Sequence, residues 1–241
     1  MLRSLLTFLS CCMIIGMQGH AVAQETVFSG PQVGEAMGEF RIKSFRGELN
    51  EKEVDVMELA KDGPVALFLV HKITRPGFGL TNAIAKAYAA ERAEKGLVTA
   101  VVFLNDDPTS IAGPMQAIKD RMPKEVVLAV ASDGAEGPGS YGLNRNVTVT
   151  VLVGNKGKVV GNFALVQPSL PSDGPKIVSA MAKALGEKPP TKEELMSKID
   201  SSMGARQRMQ NQRNARGRNN ADRGNARAQR EKKKADSDGD N

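Results

Sequence analysis

Cysteine is nearly missing from this 241-residue chain, and the two that occur, Cys11 and Cys12, both fall within the first 23 residues. Downstream of them no disulfide can form and no thiolate can act as nucleophile or metal ligand. Histidine is almost as scarce: past residue 23 only His71 remains. No histidine, cysteine and carboxylate cluster has metal-ligand spacing, and no metal or cofactor is expected. Serine, threonine and tyrosine are present, but none has a patterned base partner, so no catalytic residue is assigned. No apolar run after residue 23 approaches the length of a transmembrane helix. The C-terminal stretch 204–241 has no aromatic side chain to stack on bases, which argues against sequence-selective RNA recognition. Gly154 to Gly157 is not followed by the Gly-Lys-Ser/Thr of a phosphate loop. Asp236, Asp238 and Asp240 imitate the start of a calcium loop, but the distal ligands are missing.

The first 23 residues read as a secretory signal. Arg3 supplies the positive start, Leu5 to Gly16 the apolar stretch, and Ala21-Val22-Ala23 a small-residue cleavage site before Gln24. The expected location is periplasmic or extracellular; the competing reading is a lipoprotein modified at Cys11 or Cys12. Charge is unevenly placed. Residues 24–204 carry 21 Lys+Arg against 22 Asp+Glu, whereas residues 205–241 carry 11 against 5. The basic balance therefore belongs to the tail.

Hydrophobic periodicity organises the middle of the chain. Residues 24–39 read as an irregular lead-in broken by Gly30-Pro31 and Gly34. Phe40 to Phe45 alternates apolar and polar, the period of a half-buried strand. Val54 and Val56 mark a second short strand, and Met57 to Lys61 one helical turn. Val65 to Val70 is a continuous apolar run, suited to a strand buried on both faces. A polar loop over His71 to Gly79 leads to a helix predicted from Leu80 to Lys95. Strands are predicted at Leu97–Leu104, Val126–Ala131, Thr148–Val153 and Lys158–Leu165, with a helix near Ile111 to Met122. A last helix is predicted from Asp173 or Gly174 to Leu185, with Pro175 in its first turn. Strands alternating with helices imply a mostly parallel sheet with helices on both faces, and the closing hairpin adds an antiparallel edge.

The expected division is a signal at 1–23, a lead-in at 24–39, an α/β domain at 40–186, and a linker with a short helix at 187–203. A disordered basic low-complexity tail at 204–241 completes it. Lys188-Pro189-Pro190 is the linker, and Thr191-x-x-Glu194 is a capping box that opens the short helix. Its apolar side, Leu195, Met196, Ile199 and Met203, suits docking on the domain or on a partner. The tail is Arg, Asn, Gln, Gly and Ala with almost nothing apolar, too little to offset the entropy of ordering.

Several segments, in order, resemble the thioredoxin-like superfamily in its redoxin branch of peroxiredoxins and exported thiol–disulfide oxidoreductases. Pro31-Gln32-Val33-Gly34-Glu35 with Phe40 is similar to the branch's opening. Gly63-Pro64-Val65-Ala66-Leu67-Phe68 is similar to its central strand. Tyr141-Gly142-Leu143, Val151-Leu152-Val153 and Lys156-Gly157-Lys158-Val159 are similar to its closing hairpin. The resemblance implies a thioredoxin-like fold and a site where the central strand meets the next helix. In the peroxiredoxin register Thr74 matches the active-site threonine, and Gly77 takes the place of the reactive cysteine. In the oxidoreductase register Ile73 and Pro76 replace the cysteine pair. Thr148 stands where one branch keeps a cis-proline and the other an arginine.

The reading that follows is an exported thioredoxin-fold protein without thiol chemistry, a binding or scaffold module for an unknown protein partner. Lys72, Thr74, Arg75, Gly77 and Thr148 would line the vacated groove. Lys72 and Arg75 beside a helix N-terminus also suggest an anion site. His71 reads as a strand-end histidine touching solvent. Two alternatives stay open: a redoxin-type enzyme with altered or partner-supplied chemistry, and a polyanion binder acting through the tail.

Overall fold

A computed structural model describes residues 27–107 and 110–202. The expected signal segment and tail, and Met203, lie outside the described residues. One seven-stranded sheet organises the molecule, in the order β2-β1-β5-β4-β3-β6-β7. The strands are β1 (Arg41–Ser44), β2 (Glu53–Asp55), β3 (Val65–Val70), β4 (Val98–Phe103), β5 (Val127–Ala131), β6 (Val149–Asn155) and β7 (Lys158–Leu165). Parallel pairing is confined to β3–β4 and β4–β5; β1–β2, β1–β5, β3–β6 and β6–β7 are antiparallel. The apolar run at Val65–Val70 is the central strand, and every residue in it is buried. The turn between β6 and β7 is Lys156-Gly157, both at positive φ, the conformation that suits a two-residue hairpin.

Helices are α1 (Val56–Ala60), α2 (Arg75–Ile84), α3 (Ala112–Lys119), α4 (Leu170–Ala184) and α5 (192–202). α2 continues through a π-helical turn at Ala85–Ala89 and ends at Gly96, whose φ of 85° closes it. The steps β3→β4→β5 run in one direction across the sheet. Right-handed crossovers therefore place α2 and α3 on the same face. That face packs Phe68, Val101 and Leu128 against Leu80, Ile84, Ile118 and, from α4, Ile177 and Met181. The other face, with Leu67, Leu69 and Val102, is covered by α1 and by irregular chain carrying Met37, Phe40 and Tyr141. The predicted helices on both faces are thus realised unequally.

Two helix starts differ from the sequence expectation. α2 begins at Arg75, not Leu80. Thr74 caps it, with Oγ1 accepting the Gly77 N–H at 3.2 Å, and Pro76 sits in the first turn. Gly77 and Gly79 looked like loop residues but are helical. α4 begins at Leu170, not Asp173. Pro171 lies in its first turn, and Asp173 reaches back to accept the Ser169 N–H at 2.8 Å. Pro175 is therefore inside the helix.

The lead-in does more than connect. Gly34 N–H donates to the Val159 carbonyl, Val159 N–H to the Glu35 carbonyl, and Met37 N–H to the Gly157 carbonyl, at 2.8–2.9 Å. The Asn162 amide donates to the carbonyls of Ser29 and Pro31. This strap covers part of the β7 edge, which would otherwise offer unpaired backbone groups. The capping box at the start of α5 forms as predicted: Glu194 N–H donates to Thr191 Oγ1, and Thr191 N–H to the Glu194 carboxylate. Leu195 and Ile199 are 2% and 0% exposed and join the same core as Leu80, Ile84, Ile177 and Met181. Lys198 adds an ion pair to Glu91. α5 thus docks on the domain. No helix among the described residues is long and apolar enough to cross a membrane.

Candidate functional site

The C-terminal end of β3, the start of α2 and the segment entering β6 meet at one point. His71 and Lys72 donate their backbone N–H groups to the Thr148 carbonyl at 3.0 and 3.2 Å. Thr148 in turn donates its hydroxyl to the Val166 carbonyl at 2.7 Å. Gly77, buried on the first turns of α2, faces this junction. A Cβ added to it would lie 3.0 Å from Thr74 Oγ1 and 3.3 Å from Thr148 Cγ2 and Val149 Cγ2. Thr74, Gly77 and Thr148 are therefore brought together in the structure. Lys72 joins through its backbone, and the Lys72 and Arg75 side chains are exposed nearby.

What this arrangement can do chemically is limited. A helix N-terminus lowers the pKa of a thiol placed on it, but Gly77 has no side chain. The Thr74 hydroxyl already accepts from the Gly77 N–H, and among the described residues no side-chain base is bonded to it. The anion reading also weakens. Pro76 has no N–H, Gly77 N–H goes to Thr74 Oγ1, and Phe78 N–H goes to the Thr74 carbonyl at 2.9 Å. Within the first turn only the Arg75 N–H is left for a ligand. Among the described residues no cluster of three or more potential metal ligands occurs.

His71 stands directly after β3, at the strand-end position expected of it. It is half-buried, and its Nε2 lies 3.1 Å from Thr150 Oγ1. Thr150 shares a 2.6 Å hydrogen bond with Ser29, whose Oγ accepts the Asn144 N–H at 3.0 Å. The histidine thus ends a polar chain that ties the strap to β6, and it turns away from Thr74. Sequence reading missed this chain because Ser29 and Thr150 are 121 residues apart and neither sits in a motif.

Burial first, and then the neighbouring Lys72 cation, push the His71 imidazole down to about 4. Its unfolded value is ordinary, ~6.5. Between those values the unfolded chain binds a proton that the folded chain does not, so stability is full above about pH 7 and falls as pH drops towards 4. The full linkage is ~3 kcal/mol, and partial solvent screening of the half-buried ring reduces it to about 2 kcal/mol. In His71→Gln the loss of unfolding free energy between pH 7 and pH 4 should shrink by about that amount. Urea titrations at the two pH values measure it, and an unchanged difference rejects the assignment.

Neither a family model nor a curated protein sequence matches the chain. Solved structures do. A protein of Chlorobium tepidum assigned as the thiol:disulfide interchange protein DsbE is 18% identical, with a TM-score of 0.50 over 64% of this chain and 99% of that one. A Bacteroides thetaiotaomicron protein assigned as a disulfide isomerase is 14% identical, with a TM-score of 0.47 over 66% and 91%. Peroxidoxin BcpB of Mycobacterium tuberculosis is 17% identical, with a TM-score of 0.43 over 64% and 94%. The first of these supports the fold, which is thioredoxin-like.

Proposed function

We propose that this thioredoxin-like chain is an exported, non-catalytic binding module whose contact surface is the ground around Lys72, Thr74, Arg75, Gly77 and Thr148. One observation carries the reading. At the helix start where a thiol would be activated, the first turn is closed by Thr74, and the facing position, Gly77, has no side chain. The proposal of export rests on the signal-like pattern of residues 1–23, cleavage of which would leave a chain without cysteine.

The surroundings suit contact with a partner. Ile73 and Val166 are 47% and 46% exposed, and both adjoin the Thr148 junction. A protein beginning at Gln24 should neither reduce an insulin disulfide nor consume hydrogen peroxide above a boiled control. Turnover above that control would overturn the non-catalytic reading. In cells of the native host, site-directed crosslinkers at Lys72 and Arg75 should trap a discrete adduct that Ile73→Asp and Val166→Asp both abolish. An adduct indifferent to both substitutions would move the contact surface elsewhere.

A further inference from the structure

The two edges of the sheet are finished differently. β2 is three residues long and carries Glu53 and Asp55, so brevity and charge both defend that edge against a further strand. β7 is eight residues long, and from Val159 to Leu165 it holds neither a charged residue nor a proline. The strap covers only its first part, through the backbone bonds at Gly157 and Val159.

Beyond Val159 the register fixes where each backbone group points. The Val70 carbonyl accepts the Leu104 N–H on the β4 side, and the His71 N–H donates to the Thr148 carbonyl on the β6 side. Thr150 and Leu152 therefore face β3, and Val149, Val151 and Val153 face β7. Their partners Leu165, Phe163 and Gly161 face back towards β6. Asn162 and Ala164 consequently turn their N–H and C=O groups outward, and among the described residues nothing is bonded to those groups. Four large apolar side chains of the described residues stand exposed, and three of them border this strand. Val166 follows Leu165 directly. Val33 precedes Gly34, whose N–H donates to the Val159 carbonyl, and Phe28 precedes Ser29, whose carbonyl takes the Asn162 amide. Apolar side chains scattered singly on a surface need no explanation, but three along one open edge do.

We propose that β7 pairs antiparallel with β7 of a second copy of the chain, about a two-fold axis at Phe163. Two open residues spaced two apart are self-complementary in that register. Asn162 meets Ala164 of the second copy and Ala164 meets its Asn162, so every open N–H finds an open C=O. A register centred on Asn162 would set Ala164 against Val160, where the ladder is already irregular. One centred on Ala164 would set Asn162 against Val166, whose carbonyl is taken by the Thr148 hydroxyl. In the Phe163 register the two phenylalanines form a non-hydrogen-bonded pair, the closer of the two pair types, and their rings touch across the axis. Val166 of the second copy lies opposite Val160, short of the strap bonds at Val159, so the strap does not block the pairing. The absence of charge and the self-complementary spacing favour a second copy over an unrelated extended segment. The proposal does not rest on the contact surface at the Gly77 junction.

The test uses the protein from Gln24, which has no cysteine of its own. In sedimentation equilibrium it should show monomer and dimer in exchange at about 100 µM, as suits a small interface. Ala164→Pro removes one outward N–H, a change an edge strand tolerates, and should weaken the dimer at least about tenfold while the monomer stays folded. If Ala164→Pro does not fold, Ala164→Lys, which places a charge on the edge, takes its part. Phe163→Cys supplies a single thiol. Mild oxidation should link two copies of it, because paired Cα atoms at the axis lie about 4.5 Å apart, within the reach of a disulfide. Val54→Cys, on the opposite edge, should stay unlinked. A monomer alone at that concentration overturns the proposal. So does a dimer that neither Ala164 substitution weakens, or equal linkage of the two cysteine proteins. If Phe163→Cys in native host cells links to a different protein and not to itself, the edge belongs to another occupant and the proposal fails. None of these results bears on the thiol-free reading of Gly77.

Discussion

Replacing Arg46 with alanine should lower the unfolding free energy by about 3 kcal/mol, because one guanidinium holds the end of α3 and the turn that follows. Its Nη1 donates to the carbonyls of Lys119 at 3.0 Å and Met122 at 3.2 Å; its Nη2 donates to Val126 at 2.7 Å and also to Pro123. One of these carbonyls, that of Lys119, belongs to the last turn of α3, whose carbonyls have no intrahelical donor and carry the negative end of the helix dipole. Burial pulls the Arg46 pKa below its ordinary value, and Glu125 acts the other way. Charge-assisted bonds of this kind are worth ~1.5–3 kcal/mol each when isolated. The open groove beside Arg46 lets water replace some of them, hence the smaller total. Arg46→Lys keeps the charge but not the planar fork, so it should recover less than half of the loss. Urea unfolding at pH 7 should show a lower midpoint at an unchanged slope. A loss under about 1 kcal/mol would mean that water serves these carbonyls as well as arginine does.

The second large effect concerns α5. The double substitution Leu195→Ala and Ile199→Ala should cost about 4 kcal/mol, since each removes a buried aliphatic side chain from the core shared with α2 and α4. Ending the chain after Glu187 should cost no more than this, because the undocked segment's ordering entropy is recovered. Ending it after Ser202 should leave the unfolding midpoint unchanged. The comparison matters for any experiment on the basic tail. A deletion begun at Gly186 would remove the docked helix with the tail, so a change in binding to an anionic matrix would report two causes at once. Equal midpoints for the three chains would show that α5 contributes nothing to the fold.

Much of the fold was legible because buried strands and amphipathic helices write their period into the sequence. Val65 to Val70 read as a central strand and is one. Ile111 to Met122 read as a helix, and Ile111, Met115, Ile118 and Met122 are all buried. The lost helix starts have a common cause. Gly77, Gly79 and Pro76 weigh against helix in a propensity reading. The cap from Thr74, three residues before Gly77, and the packing of Leu80 and Thr81 outweigh them, and the packing is not local in sequence. At the site, the sequence located the junction through Thr74, Gly77 and Thr148. It could not show that Thr74 closes the helix start, which is a matter of hydrogen-bond geometry. Nor could it reveal Ser29 or Thr150. Each is an ordinary hydroxyl residue in the chain and becomes distinctive only through burial and long-range contact.

The room around Gly77 also bears on descent. In the genetic code two of the four glycine codons become a cysteine codon by one base change, so from those codons a thiol at this position is one step away. Yet any side chain there would press on Thr74 Oγ1 and on methyl groups of Thr148 and Val149. A side chain at this position therefore makes the Thr74 cap or the facing methyl groups give by a few tenths of an ångström.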